Sequence, residues 1–344
     1  MQIKVLNEKY LGRVNSMYKS LIIGAGSIGA WKDDKFDSPL NPDRVLTHAH
    51  AFYKHPEIEL YGIIDKDIVR ACQAGAKWSA TYASNAANIT EVLNAFGPFD
   101  IISVCTDTST HFEIVEKISV SDNRPKVLIV EKPCGQNSRE CKSIIEMCEE
   151  TGIKLIVPYI RRFIPELRAI KSIIDCAEVV YAANIYYNRG LLRDGCHAID
   201  FASYLFGRVE FMDVLHAQPI ADYSADDLTR GIVLVMDRCK QVVMHPVDGR
   251  VGSIFEMDII TNAGRYRLID NYAMIEHYRI VNEEVYGDYS RFFPTTENTV
   301  STQLHRGLDF MAQNAVDVIN GGHPLCSGQD ALNVHKIIEN INLR

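Results

Sequence analysis

The feature that most constrains this chain is a short apolar run, Ser20-Leu21-Ile22-Ile23, that ends in Gly24-Ala25-Gly26-Ser27-Ile28-Gly29. An unbroken apolar run of this length reads as a strand buried on both faces, as in parallel sheets. A Gly-x-Gly-x-x-Gly pattern is a weak signal alone, but directly after such a strand it is the context a dinucleotide site requires. Gly24 permits the turn, Gly26 lets the backbone approach a pyrophosphate, and Gly29 allows close packing of the next element. Backbone N–H groups of the turn, with Ser27 and Ile28 in it, can hold phosphates without a basic side chain.

An acidic residue at the end of the second strand is expected to accept hydrogen bonds from the adenine ribose, and Asp65 closes Glu59-Leu60-Tyr61-Gly62-Ile63-Ile64. Its carboxylate would repel a 2′-phosphate, which favours NAD; the adjacent Lys66 keeps NADP open. The alternative is that Asp65 only starts the turn into the next helix. Asp65 lies farther from the glycines than the usual ~20 residues. The excess falls in Trp31 to Thr47, rich in Asp, Pro and Asn and read as a loop, either a lid or a solvated insertion.

Downstream, helices are expected at His48 to Lys54, Ile68 to Lys77, His111 to Ile118 and Ser138 to Thr151. Strands are expected at Ile58 to Ile64, Phe99 to Cys105, Lys126 to Val130 and Lys154 to Val157. This alternation is the signature of a doubly wound parallel sheet. Beyond Tyr159, strands with period-two patterning follow one another: Val179 to Tyr187, Gly231 to Met236, Gln241 to His245, Phe255 to Thr261 and Arg265 to Ile269. Asp237-Arg238-Cys239-Lys240 and Asn262-Ala263-Gly264 read as hairpin turns. Helices His197 to Phe206, Gln303 to Ile319 and Gln329 to Asn342 are expected to flank that sheet. The fold class is therefore α/β: a Rossmann domain over residues 17–157, then a substrate-binding and oligomerisation domain over residues 158–344 with a large, mostly antiparallel open sheet. Residues before Tyr18 read as an extension, with Met17 as an alternative start.

The chain has 344 residues, more than one core usually organises, with 47% hydrophobic and 23% charged residues. A formal charge of −8 offers no basic field for phosphate polymers, so nucleic acid is disfavoured as a partner. No apolar run is long enough for a membrane span and the first residues are too polar for a signal peptide, so the expected location is the cytoplasm. Nine scattered cysteines suit reduced thiols; Cys134, Cys141 and Cys148, seven residues apart, read as packing along one helix face. No metal is expected.

Val130-Glu131-Lys132-Pro133, closing a strand of the same domain as the glycine turn, narrows the choice. Together these residues resemble the glucose-fructose oxidoreductase and inositol dehydrogenase family, Gfo/Idh/MocA. Further segments are similar to its pattern: His48, His55-Pro56 and Asp65; Thr106 to His111; Arg161-Arg162-Phe163 with Pro165; Gly190 to Asp200; and the closing helix after Ser327-Gly328-Gln329-Asp330. The resemblance covers nearly the whole chain from Tyr18. It implies a second domain whose open sheet mediates homodimer or homotetramer contacts, with reaction chemistry where the two domains meet. It also implies polyol, sugar or nucleotide-sugar substrates interconverted between alcohol and carbonyl, and adds Thr106, His111 and Glu131 to the cofactor site.

Hydride transfer from a carbinol needs the hydroxyl proton removed and the developing oxygen charge steadied. Lys132 ends a parallel strand at its carboxyl edge, where ligands bind in open α/β sheets, and the family's lysine aligns with it. Family members suggest that Pro133 directs it through a cis peptide. His197, aligned with the family's histidine, can accept and return a proton near neutrality. The family places an aspartate four residues before that histidine; here Arg193 stands there and Asp194 follows. A shift of one helical residue turns a side chain by about 100°, so Asp194 either serves in catalysis from a new direction or caps the helix beginning near Gly195. Arg193, with Arg161 and Arg162, would favour an anionic substrate such as a uronate or nucleotide sugar. Tyr186 is a further candidate sugar contact. The leading expectation is an NAD(P)-dependent sugar dehydrogenase, with surface-polysaccharide biosynthesis as its expected setting. A non-catalytic dinucleotide sensor and a transient-oxidation lyase or hydrolase are the alternatives on the same fold.

Overall fold

The computed structural model describes residues 17–36, 40–86, 89–215, 218–283, 287 and 289–343, with backbone alone at 295–298. The expected extension before Tyr18 falls almost wholly outside the described residues. Among the described residues two compact units emerge: one reaches to Phe163 and includes His305–His335, and the other comprises Ile164–Leu304 with the residues from Lys336 on.

In the first unit the chain runs β1 (Tyr18–Ile23), α1 (His48–Lys54), β2 (Ile58–Asp65), α2 (Ile68–Lys77), β3 (Tyr82–Asn85), α3 (Ile89–Phe96), β4 (Ile101–Val104), α4 (His111–Ser119), β5 (Val127–Val130), α5 (Ser138–Thr151) and β6 (Lys154–Ile156). All six strands are parallel in the order β3-β2-β1-β4-β5-β6. Strand order reverses at β1 and β4, and a crevice opens at such a switch point. Leu21 to Ile23 and Val127 to Val130 have no exposure, as strands covered on both faces require. Local chemistry sets the helix starts: Thr47 accepts from the His50 N–H, Asp67 from Val69 and Arg70, and Asn137 from Glu140. Gly152, at φ +75°, ends α5.

The second unit contains α6 (Pro165–Cys176), β7 (Val180–Tyr187), α7 (Cys196–Phe206), β8 (Val209–Val214), β9 (Ile220–Ser224), β10 (Asp227–Thr229), β11 (Ile232–Met236), β12 (Val242–Pro246), β13 (Phe255–Thr261), β14 (Gly264–Ile269), β15 (Met274–Asn282) and β16 (Ser290–Ser301). Its eight-stranded sheet has the order β16-β15-β14-β13-β7-β12-β11-β8, antiparallel except where β12 meets β7. β9 and β10 form a separate hairpin. Both expected turns join neighbouring antiparallel strands.

Several expectations change. The helix α8 (Gly307–Ile319) packs on α1 and on the 3₁₀ turn Ile160–Phe163, so it and residues through His335 of α9 (Gly328–Asn342) belong to the first unit rather than flanking the second sheet. The boundary near residue 157 moves to Phe163 and the chain returns. Cys141 and Cys148 lie on the buried face of α5, but Cys134 precedes that helix and is buried in the loop before it. The stretch after the glycine turn is not a plain loop, since Lys32–Lys35 form a 3₁₀ turn and Asp33 is buried. The Asp33 carboxylate accepts from Leu46 N at 3.0 Å and Thr47 Oγ1 at 2.5 Å and meets His50 Nδ1 at 3.2 Å. Burial alone would raise that carboxyl; the bonds from His50 and Thr47 hold it below the usual range. Residues 37–39 of the stretch lie outside the described ones.

Candidate active site

Within the first unit, a cleft of about 580 Å³ opens at the carboxyl ends of β1, β2 and β4, lined by Gly24, Gly26, Asp65, Arg70, Cys105 and Thr106 among others. Gly24 has φ +101°, and a Cβ there would lie 2.7 Å from the Cys105 carbonyl carbon. A Cβ on Gly29 would lie 2.1 Å from the Gly24 oxygen, so both glycines are required by the protein itself. Gly26 differs, because its Cβ would meet nothing within 4 Å. No protein neighbour therefore requires a glycine there, which fits a turn left open to an approaching pyrophosphate. Ser27 is exposed at the start of a five-residue π-helical turn, Ser27–Trp31, that also carries Ile28.

Asp65 lines the cleft but is 5% exposed, and its oxygens accept from Ala25 N at 2.7 Å and Asp67 N at 2.8 Å. It pins the glycine turn and starts the next turn; a carboxylate has further lone pairs for a ribose. Thr106 also lines the cleft. His111 is buried, with Nδ1 facing the carbonyls of Pro133 and Cys134 and Nε2 facing that of Thr106. It joins the loops after β4 and β5. Glu131 likewise turns inward: Oε1 meets His48 Nε2 at 2.9 Å and Oε2 accepts from Lys132 N at 3.1 Å. Both side chains are thus engaged by the loops that follow β4 and β5. Lys132 follows β5, half-buried, with a cis Lys132-Pro133 bond. Arg162 is 5% exposed and donates to Asp330 Oδ1 at 2.9 Å, a part-buried ion pair within the first unit.

In the second unit the segment Gly190 to His197 is held by the β9–β10 hairpin. Asp227 accepts from the backbone N–H of Leu192 at 2.8 Å and of Arg193 at 3.0 Å. Asp222 accepts from Arg189 N, Gly249 N and Thr229 Oγ1, and Thr229 Oγ1 in turn accepts from Gly190 N. Burial alone would raise the Asp222 carboxyl; the Arg189, Thr229 and Gly249 bonds hold it below its ordinary value. Leu191–Gly195 form a π-helical turn leading into α7, which has no side-chain cap. Asp194 therefore does not cap; its Oδ2 accepts from Arg189 Nε at 2.7 Å. The Arg193 guanidinium lies 4.0 Å from the Tyr223 ring centroid and near Asp194, so it is stacked and partly neutralised. His197 is half-buried in the first turn of α7.

Tyr186, the candidate sugar contact, does not share the sheet face that approaches Gly195. The ring of Tyr187 approaches Gly195, where a Cβ would lie 2.8 Å from Tyr187 Cε2, and successive strand residues face opposite sides. Tyr186 therefore occupies the other face, stacked on His245 at 5.0 Å. The supporting residues His48, Ser103, Asp222, Asp227 and Tyr223 were not singled out as site residues. Only His48 carried a signal, as part of the family pattern.

Residues 43–159 match the model of an oxidoreductase family with an NAD-binding Rossmann fold, GFO_IDH_MocA. Over that stretch, about a third of the chain, the sequence is similar to the Gfo/Idh/MocA oxidoreductases. Scyllo-inositol 2-dehydrogenase (NAD(+)) of Bacillus subtilis is 35% identical over 135 residues, 39% of this chain and 37% of that protein. Inositol 2-dehydrogenase of Rhizobium meliloti is 24% identical over 154 residues, 45% of this chain and 39% of that protein. These matches span well under half the length of either relative. Among solved structures, UDP-N-acetylglucosamine 3-dehydrogenase from Acidithiobacillus ferrooxidans aligns with a TM-score of 0.72 at 14% identity, over 95% of this chain and 97% of that one, which shows a shared fold. That likeness in fold covers both units.

Proposed function

We propose that the protein is an NAD-dependent dehydrogenase or reductase interconverting alcohol and carbonyl on a cyclitol, sugar, sugar acid or nucleotide sugar. The observation that carries this reading is the placement of the open glycine turn after β1 and of Glu131-Lys132-Pro133 after β5, with only β4 between them, at one edge of one parallel sheet. The N–H groups of the Gly24 to Gly29 turn would hold the pyrophosphate, and Asp65 would face the adenosine ribose. Bound NAD supplies or accepts the hydride. Lys132 orients the substrate oxygen and steadies its charge, and His197 takes and returns the hydroxyl proton. Arg193, stacked beside Asp194, sets a weaker preference for anionic substrates than a bare cation would. The relatives' names support inositols and nucleotide sugars as classes to try first. A homo-oligomer in the cytoplasm supplying sugars for surface polysaccharide is the narrower form of this reading.

Calorimetric titration with NAD and NADP, followed by a screen of inositols, hexoses, uronates and nucleotide sugars, tests it. The expected result is saturable NAD binding, weaker NADP binding, and reduced nicotinamide formed with one substrate class. Binding without turnover on any of them would favour a sensor, and no binding of either dinucleotide would refute the assignment.

A further inference from the structure

Behind the end of β5, polar side chains from three elements form a continuous buried chain. His48, the first residue of α1, has no exposure. Its Nδ1 meets Ser103 Oγ of β4 at 2.7 Å, and its Nε2 meets Glu131 Oε1 at 2.9 Å. Ser103 Oγ also lies 3.4 Å from the sulfur of Cys105, a residue of the dinucleotide cleft. Glu131 completes the chain by accepting from Lys132 N.

The charges around this chain come from several directions. Cys105 and Glu131 face His48, while Glu131 is also within electrostatic reach of Lys132 and of Lys32 from the 3₁₀ turn. Burial alone would lower the His48 imidazole, but Cys105 and Glu131 outweigh it and push it up to about 10. Burial alone would raise Glu131; His48 and then Lys132 hold it below the usual carboxylate range. A cation at a helix N-terminus opposes the helix dipole, so the pair is a costly way to fill space. Well-packed apolar side chains would often stabilise as much. Position is what the pair supplies: one Glu131 oxygen is locked by His48, leaving the other aimed at the backbone that presents Lys132.

We propose that His48 is a positioning residue, acting through Glu131 to hold that carboxylate in one rotamer and Lys132 in its working orientation. The inference rests on the reading of Lys132 as the group that binds the substrate oxygen. Orienting groups behind a reactive site are worth on the order of 10- to 100-fold in activity at metal centres. His48→Asn is expected to lower kcat by a factor in that range, to leave NAD affinity unchanged, and to move the acid limb of the kcat profile toward neutrality as Glu131 loses its counter-charge. Glu131→Gln removes the contribution of Glu131 to that limb and leaves that of His197, and the double variant is no slower than the slower single one.

Reductive methylation with ¹³C gives a readout that needs no turnover. The methyl resonance of Lys132, assigned by its absence in Lys132→Ala, is expected to shift in both His48→Asn and Glu131→Gln. Circular dichroism establishes that each variant is folded; if His48→Asn is not, His48→Gln and Glu131→Gln carry the same comparison. An unmoved resonance, an unchanged pH profile, or losses that multiply in the double variant would overturn the proposal. If the wild type binds no dinucleotide, the functional reading falls, while the resonance still decides whether His48 acts on Lys132.

Discussion

The turn that presents Lys132 and the segment that presents His197 solve the same problem in opposite ways. Lys132 is held by its immediate neighbour, since Glu131 accepts from the Lys132 N–H and is anchored behind by His48. The segment leading to His197 is held from outside, by Asp222, Asp227 and Thr229 of a hairpin some thirty residues on. Where a motif carries its own support, its residues announce the site. Where the support is distant, a departure such as Arg193 with Asp194 can be absorbed, because carboxylates elsewhere keep the backbone in place.

Removing the two presented groups should have the largest effect. Lys132→Ala and His197→Ala are each expected to slow turnover by roughly 10²- to 10⁴-fold while NAD still binds. Equal loss of dinucleotide affinity in both would show that they shape the cleft instead.

The glycines sharpen the first half of the comparison. Gly29→Ala drives a methyl into the Gly24 carbonyl and should cost roughly 1–3 kcal/mol or more, read as a lowered denaturation midpoint. Gly26→Val should fold normally and lose dinucleotide affinity, since its Cβ points into open space. The opposite pattern would mean that the turn is shaped for packing rather than for a ligand.

Asp227→Ala probes the second half. It takes the acceptor from two backbone N–H groups at a half-exposed site and should cost on the order of 1 kcal/mol. Turnover should fall while NAD affinity holds; Asp65→Ala, at the first unit's turn, should instead weaken NAD binding.

A pH dependence separates the two regions further. His48 sits above its ordinary value, so its contribution to stability is complete below the unfolded imidazole range and is lost as pH rises toward about 10. Glu131 and Asp222 sit below theirs, so their contributions are present above the usual carboxyl range and are lost on acidification. Thermal melts of His48→Asn should lack part of the alkaline loss, whereas Asp222→Asn should lack part of the acid loss. The smallest effect is expected at Tyr186, on the far sheet face: Tyr186→Ser should change stability by about 0.5 kcal/mol or less and leave turnover near wild type.

Most of the Rossmann unit could be read from the sequence because its buried strands are plain apolar runs and its helices carry side-chain caps such as Asp67 and Asn137. β3 escaped because Tyr82-Ala83-Ser84-Asn85 is short and half polar, as an edge strand can be. α8 was assigned to the wrong partner because an amphipathic pattern reveals that a face is buried, not against what. Gly24, Gly26, Gly29 and Asp65 were legible as a site through spacing. Glu131, His111 and Arg162 were recognised as important positions, but their side chains support the turn or the fold, a distinction that depends on contacts as distant as Glu131 with His48 and Arg162 with Asp330.

The most direct test follows deuterium from a carbinol carbon of the accepted polyol or sugar to the nicotinamide ring of NAD by NMR. The account predicts stoichiometric transfer by the wild type and almost none by Lys132→Ala or His197→Ala under conditions where both still bind NAD. Transfer at wild-type rate in both variants, or deuterium released to solvent with no reduced nicotinamide formed, would contradict it.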